Sequence, residues 1–140
     1  MINKIKTRMA SEEGFTLIEL LVVMIILGIL IAIAVPAYLS LTSRAHTAAA
    51  EANVRSAIPA AETFMEESAA SDYAGMTVAA LQGVAPGVAL SDATPEASGA
   101  GYCIDDTNGT TSYYYAGGNW TPTTGVLGVI TAGTCAANVS

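Results

Sequence analysis

Charge is scarce in this chain. Asp, Glu, Lys and Arg make up 12% of its 140 residues, about half the share usual in a soluble domain, roughly 25%. Basic residues are scarcest of all. Lys4, Lys6 and Arg8 lie near the start, and only Arg44 and Arg55 follow. Ten of the twelve acidic residues come after Gly14. Nucleic-acid binding by the body of the chain is disfavoured on this balance, because phosphate contacts need clustered Lys and Arg. A surplus of carboxylates suits a soluble, mutually repelling outer surface. There is one histidine, His46, and two cysteines, Cys103 and Cys135, which is poor material for a metal site. Nothing pairs the acidic residues into a catalytic constellation. No glycine-rich loop sits between a strand and a helix to cradle phosphate. These residues call for no cofactor and suggest no enzyme.

What the chain has in excess is apolar sequence, 52% of the whole, concentrated before residue 36. From Leu20 to Ser43 there is no charged residue over 24 positions. Roughly 20 apolar residues in a helix cross a bilayer core. All three leading basic residues flank the N-terminal side of this run, so the N-terminus is expected in the cytoplasm and the C-terminus outside. Beyond a membrane, Cys103 and Cys135 read as one disulfide. One residue breaks the apolar pattern: Glu19 follows Phe15-Thr16-Leu17-Ile18. A carboxylate deep in a bilayer costs roughly 2.5–3.5 kcal/mol or more, so it either marks the cytoplasmic edge of the span or has a partner. Ala32-Ile33-Ala34 offers a small-x-small cleavage pattern of the secretory kind. Glu12, Glu13 and Glu19 in the preceding segment argue against that alternative.

The stretch GFTLIELLVVMIILGILIAIAVPAY, Gly14 to Tyr38, resembles the class III signal of type IV pilins and type II secretion pseudopilins. The resemblance is strong from Gly14 to about Ala52 and extends beyond only in general layout. It implies that a prepilin peptidase cuts between Gly14 and Phe15 and methylates the new amine on Phe15. It implies further that Glu19 of one subunit pairs with the Phe15 amine of a neighbour, so that Phe15 and Glu19 set the register of assembly. Opposed charges are tolerable in a low dielectric where a lone one is not. The partners implied are other copies of the chain in a homopolymeric filament, the peptidase, and an assembly platform in the membrane. The location implied is the bacterial cell membrane before assembly and the cell surface afterwards. One departure stands out: Ser11-Glu12-Glu13 precedes the glycine, where many members carry a basic residue.

The fold class expected is α+β, with a long N-terminal helix packed on a small C-terminal antiparallel sheet. The helix is expected from Phe15 to about Ser71, roughly 85 Å at 1.5 Å per residue. In its second half Val54, Ala57, Ile58, Ala61, Phe64 and Met65 share one face, and Glu51, Arg55, Glu62 and Glu66 another. Glu51 and Arg55 are ordered for an i,i+4 pair. Pro36 and Pro59 lack an N–H and clash with the preceding turn, which predicts kinks. Gly28 is a further weak point. Filaments of the family often have an extended stretch before the proline matching Pro36, so Gly28 and Pro36 are expected to bound a helix break. Ala45, Ala48, Ala49, Ala50 and Ala52 suit either close helix approach or plain helix filler.

Eleven of the thirteen glycines lie between Gly75 and Gly133. A short helix is expected over Thr77 to Gln82 and turns from Ser91 to Gly99. Gly101–Ile104 and Ser112–Ala116 read as strands flanking an Asp105-Asp106-Thr107-Asn108-Gly109 turn, with Asn108-Gly109 as the hairpin signal. That acidic stretch has the oxygen ligands of a calcium loop without its full spacing, and a hairpin turn is the simpler reading. Val126–Thr131 reads as the last strand. Asn108-Gly109-Thr110, Asn119-Trp120-Thr121 and Asn138-Val139-Ser140 fit a glycosylation sequon. Tyr113–Tyr115 with Trp120 could form an adhesive patch, although tyrosines on a strand alternately pack and expose.

The domains expected are a leader over residues 1–14, a membrane and filament-core helix over 15–43, an amphipathic helix over 44–71, and a β-rich domain over 72–140. Three functions fit: a pilin serving adhesion, motility or DNA uptake; a pseudopilin of a secretion or competence system; and an anchored ectodomain that never polymerises. The Gly14-Phe15 junction and Glu19 argue against the last. The cysteine pair leans toward a pilin.

Overall fold

A computed structural model describes residues 14–120 and 127–138. The expected leader up to residue 13, Val126, and two of the three sequons in part lie outside the described residues. Helix α1 spans Leu17–Glu67. The chain divides into two compact units, one up to Ser40 and one from Leu41 onward.

In the first unit α1 is apolar on every side, long and apolar enough to cross a membrane. Its large side chains are exposed, from 45% at Val22 to 89% at Leu17. Helical assignment runs without interruption through Gly28 and Pro36, and in the second unit through Pro59. The break expected at Gly28 and Pro36 is therefore not a property of the isolated chain. A proline removes one intrahelical bond, and the unbroken helical bonding on either side keeps the backbone helical.

The second unit is built on a period of three and four. Ala50, Val54, Ala57 and Ala61 are fully buried, and Ala60 nearly so. Ile58, Phe64 and Met65 pack partly buried beside them. Small side chains at the centre of this face let the helix backbone lie close to the sheet. Of the alanines between 45 and 52, Ala50 is buried, while Ala45, Ala48 and Ala52 are exposed. After α1 the chain turns through Tyr73 and Met76 into α2, Val78–Val84. Thr77 caps α2, its side chain accepting from the Ala80 N–H at 3.2 Å. This is the short helix expected there, displaced by one to two residues.

Four antiparallel strands follow in the order β1-β2-β3-β4: β1 Asp92–Pro95, β2 Gly101–Asn108, β3 Thr111–Gly118 and β4 Thr131–Ala132. A 3₁₀ turn, Cys135–Asn138, follows. The two faces of the sheet carry two cores. Tyr102 and Ile104 face the helix with Val54, Tyr73, Met76 and Leu81. Cys103, Tyr114, Ala116, Trp120 and Cys135 form the other cluster. Burying a side chain such as Val54, Leu81 or Ile104 stabilises by roughly 1.5–3 kcal/mol.

Three local readings need correction. Ser91–Gly99 is not all turn: Asp92–Pro95 pairs with Tyr102–Asp105 as an edge strand. Propensity missed it because Asp and Pro disfavour strands, yet Pro is tolerated at an edge, where its absent N–H breaks no ladder. Asp105 to Asn108 is not a loop but the second half of β2, in register with Thr111–Tyr114. The turn is Gly109-Thr110, with Gly109 at φ 63°, the left-handed conformation that the first residue of a two-residue hairpin loop adopts in the Gly-first turn type. The strand expected over Val126–Thr131 shrinks to Thr131–Ala132, because Gly128 at φ 76° turns the chain. Leu127 and Val129 are left exposed.

Candidate functional site

The start of α1 carries the first candidate. Gly14, Phe15 and Thr16 precede the helix. The first N–H groups of any helix have no intrahelical acceptor. Here Thr16 and Glu19 supply acceptors reciprocally. The Thr16 hydroxyl accepts from the Glu19 N–H at 3.3 Å, and Glu19 Oε2 accepts from the Thr16 N–H at 3.1 Å and its hydroxyl at 2.9 Å. This is a capping box, Thr-x-x-Glu, in which two orphan donors are satisfied at once. The Glu19 side chain is thereby held at the first turn, and among the described residues its bonds run through Oε2. Sequence reading singled out Glu19 but passed over Thr16, although the Thr-x-x-Glu spacing was there to find it.

Phe15 is 88% exposed. Among the described residues nothing lies within 4 Å of where a Cβ would stand on Gly14 or on Gly28. The chain's own packing thus gives no reason for glycine at either position. Pro36 lies in the exposed part of α1. From Phe15 to Leu41 the large apolar side chains are open to their surroundings throughout. Withdrawing each from water would contribute roughly 1.5–3 kcal/mol, so this surface demands lipid or protein around it.

Several polar groupings lie among the described residues of the second unit. Glu62 is only half-exposed and accepts from the Tyr73 and Tyr102 hydroxyls, each at 2.8 Å. The two rings stand 4.6 Å apart between centroids, and Tyr115 lies 6.1 Å beyond Tyr102. Burial and the Glu62 charge push both phenols above the ordinary tyrosine value. Glu62 was expected on the charged outer face. A helical face is not sharp at its margin, and position alone could not show two phenols waiting there.

Asp105 and Asp106 are buried, at 4% and 7% exposure. Being neighbours on a strand, they point to opposite faces. Asp106 accepts from Asn53 Nδ2 at 2.8 Å and Ser91 Oγ at 3.2 Å. Asp105 accepts from the Cys135 N–H at 2.6 Å. Burial lifts the Asp105 carboxyl above the usual carboxylate range; the Cys135 N–H opposes this, and the Asp92 and Asp106 charges add to it. Cys103 and Cys135 are joined, with Cα atoms 5.7 Å apart, within the span a disulfide requires. Asp105 thus braces the segment that the disulfide closes. The calcium-loop alternative is set aside for this stretch, since its two aspartates face opposite sides. Among the described residues no group of three or more His, Cys, Asp or Glu could hold a metal.

His46 on α1 meets the tip of the β2–β3 hairpin, with Nδ1 2.5 Å from Asn108 Oδ1. On the outer helix face, Arg55 pairs with Glu51 at 2.7 Å. Such an exposed i,i+4 pair contributes a few tenths of a kcal/mol, about 0.3–0.5. Tyr113 and Tyr115 are half-buried against the helix-side core and Tyr114 is buried on the other side. Trp120 is buried as well. These aromatics are packing residues and form no exposed adhesive patch.

Comparison with known proteins covers only part of the chain. Residues 9–35 match the family model for the prokaryotic N-terminal methylation motif. The chain is 44% identical over 59 residues to a fimbrial protein of Pseudomonas aeruginosa, covering 42% of this chain and 38% of the relative. It is 56% identical over 48 residues to the type IV narrow pilus major component PilA5 of Thermus thermophilus, covering 32% of this chain and 41% of the relative. To the type IV major pilin protein PilA of Myxococcus xanthus it is 39% identical over 56 residues, covering 40% of this chain and 26% of the relative. The matched segment thus spans less than half the length of each of these relatives. No solved structure matches the chain. The chain thus carries a prokaryotic N-terminal methylation motif at the start of a long apolar helix, and over part of its length it is similar to type IV pilins and fimbrial proteins.

Proposed function

We propose that this chain is the structural subunit of a type IV pilus-like extracellular filament. The observation that carries the reading is the first unit of α1: an exposed apolar helical surface whose single charge, Glu19, is fixed at its start by Thr16. A helix of this kind is stable in a bilayer and equally stable among copies of itself, which is what a subunit needs if it is to move from membrane to filament. Processing between Gly14 and Phe15 by a prepilin peptidase, with methylation of Phe15, supplies the amine that Glu19 lacks. The open surroundings of Gly14 support this, since its glycine then serves the enzyme's cleft and not the fold. Each Glu19 receives the Phe15 amine of a neighbour. The assembly platform in the membrane extracts the processed subunits, which pass from the cell membrane to the cell surface. The chain performs no catalysis in this role.

The domain scheme follows the same order: leader over 1–14, filament core over 15–43, amphipathic helix over 44–71, and surface domain over 72–140. Within the filament the stretch between Gly28 and Pro36 melts. Both residues weaken helix, and packing among neighbours can supply partners for the freed backbone groups. The relatives named above are fimbrial and pilus components, which favours a pilin over a secretion pseudopilin.

The test is direct. Filaments sheared from the cell surface are expected to contain this chain, beginning at methylated Phe15. Absence of the processed chain from sheared filaments, with the chain still present in the membrane, would favour the anchored ectodomain instead.

A further inference from the structure

The hairpin tip contains a reactive pair that neither processing nor assembly uses. Asn108 ends β2 and is half-buried; Gly109 is exposed and opens the two-residue turn at φ 63°. Glycine places no side chain beside its own nitrogen. The Gly109 N–H makes no hydrogen bond among the described residues. His46 lies over the pair: its ring would be 3.2 Å from a Cβ on Gly109, and its Nδ1 reaches Asn108 Oδ1 at 2.5 Å. An amide oxygen can only accept, so the imidazole Nδ1–H donates to it.

We propose that Asn108 is a site of spontaneous modification, converted through a cyclic imide to aspartate and isoaspartate with His46 promoting the ring closure. The Gly109 nitrogen bonds to Asn108 Cγ, and the bond from Cγ to the side-chain nitrogen breaks. That nitrogen leaves as ammonia, carrying the proton from the Gly109 amide. Water then adds to one of the two imide carbonyls. Opening at one side gives aspartate, and at the other isoaspartate. Water enters, ammonia leaves, and nothing is oxidised or reduced. In the addition step negative charge grows on Oδ1, the atom His46 already contacts. A donor aimed where charge develops is what lowers such a barrier.

Two other asparagines are internal controls. Asn53 lies in α1, its side chain donates to Asp106, and the next nitrogen, Val54, belongs to the helix. Asn119 is followed by Trp120, whose N–H bonds to the Gly117 carbonyl at 3.3 Å. In both the attacking nitrogen is committed or shielded. The product at 108 also has a consequence. Aspartate places a carboxylate against the imidazole of a chain whose net charge is already −7. Isoaspartate inserts an extra backbone carbon at the Asn108–Thr111 pair and disrupts the register there.

The experiment uses the full chain in detergent, warmed at neutral pH. Peptides are separated into asparagine, aspartate and isoaspartate forms and weighed. Position 108 is expected to convert while positions 53 and 119 do not. His46→Phe is expected to slow conversion about threefold to tenfold, as for loss of one hydrogen bond. His46→Gln, which retains an N–H donor, is expected to recover part of that loss. In urea the wild type and His46→Phe should convert at one rate, because the contact is gone in both. No conversion at 108 in the folded chain, or equal folded rates for wild type and His46→Phe, would overturn the proposal.

Discussion

Tyr73 and Tyr102 reach the Glu62 carboxylate from the connecting loop and from β2, so one residue ties α1 to two other parts of its unit. Glu62→Leu removes both acceptors and leaves two phenols without them. A buried hydroxyl without a partner costs about 1–3 kcal/mol. Denaturant unfolding of the detergent-solubilised chain should therefore show a loss of about 2–4 kcal/mol for the two phenols after partial relief by water. A loss below about 0.5 kcal/mol, the range of an ordinary surface substitution, would show that the clamp carries no weight. The pH dependence of this unit follows from the same groups. Asp105 is held above its unfolded value of 3.8, so the folded chain binds the proton more readily than the unfolded one. Stability then rises as pH falls through the folded value, and falls as pH rises from 3.8 toward it. The raised phenols act likewise: the unfolded chain releases its protons near 10.0 while the folded chain keeps them. Stability is lost as pH rises above that point. Asp105→Asn keeps an oxygen for the Cys135 N–H but carries no charge. It should flatten the acid limb of the stability profile and leave the alkaline limb intact. An unchanged acid limb in that variant would remove Asp105 as its cause.

At the scale of elements, α1 has two surfaces with different obligations. Beyond Leu41 its buried face is answered within its own unit by β2 and α2. Before Leu41 its apolar surface has no such cover. If Glu19 serves the Phe15 amine of a neighbour, Glu19→Val should block or strongly impair filament formation while cleavage and membrane insertion persist. Insertion alone would improve, since the span becomes more apolar. What is lost is a buried charge pair, and breaking one costs roughly 3–5 kcal/mol per site. Normal filament yield from cleaved Glu19→Val protein would reduce Glu19 to an edge marker and helix cap. Thr16→Ala makes the complementary test, because it removes the capping hydroxyl but leaves the carboxylate. It should weaken assembly less than Glu19→Val does. The break between Gly28 and Pro36 belongs to the filament and is measured there. Amide exchange over residues 29–35 should be faster in filaments than in the helical, detergent-bound monomer. Equal protection in both would mean that the stretch stays helical on assembly.

At the scale of the whole molecule, the mature chain is expected to begin at Phe15. Its N-terminal peptide should carry one added methyl group, and the peptides holding Cys103 and Cys135 should be found linked, two hydrogens lighter than their free-thiol sum. A start at Val35 would point to a secretory cut, and two alkylatable thiols would rule out the bond. The disulfide joins residues 32 apart. Reducing it should cost the second unit roughly 3–4 kcal/mol in the chain-entropy account.

Composition alone was enough to define the first unit. An uncharged run of 24 residues behind three basic ones, with one carboxylate near its start, has few physical outcomes, because lipid forces backbone bonding inward and makes a helix obligatory. The buried face of the later helix was also legible, since a period of three and four needs no knowledge of what lies opposite. The sheet was less so. Asp92–Pro95 becomes a strand only because β2 offers an edge to pair with. Asp105 and Asp106 can be buried only because Cys135, Asn53 and Ser91 arrive from distant parts of the chain to donate to them. Glu62 looked like solvent-facing charge until two tyrosines closed on it. Local sequence determines an element when its environment is uniform, as lipid or a filament core is. A buried polar group is acceptable only with its partners in place, and which residues become those partners is decided by the tertiary fold.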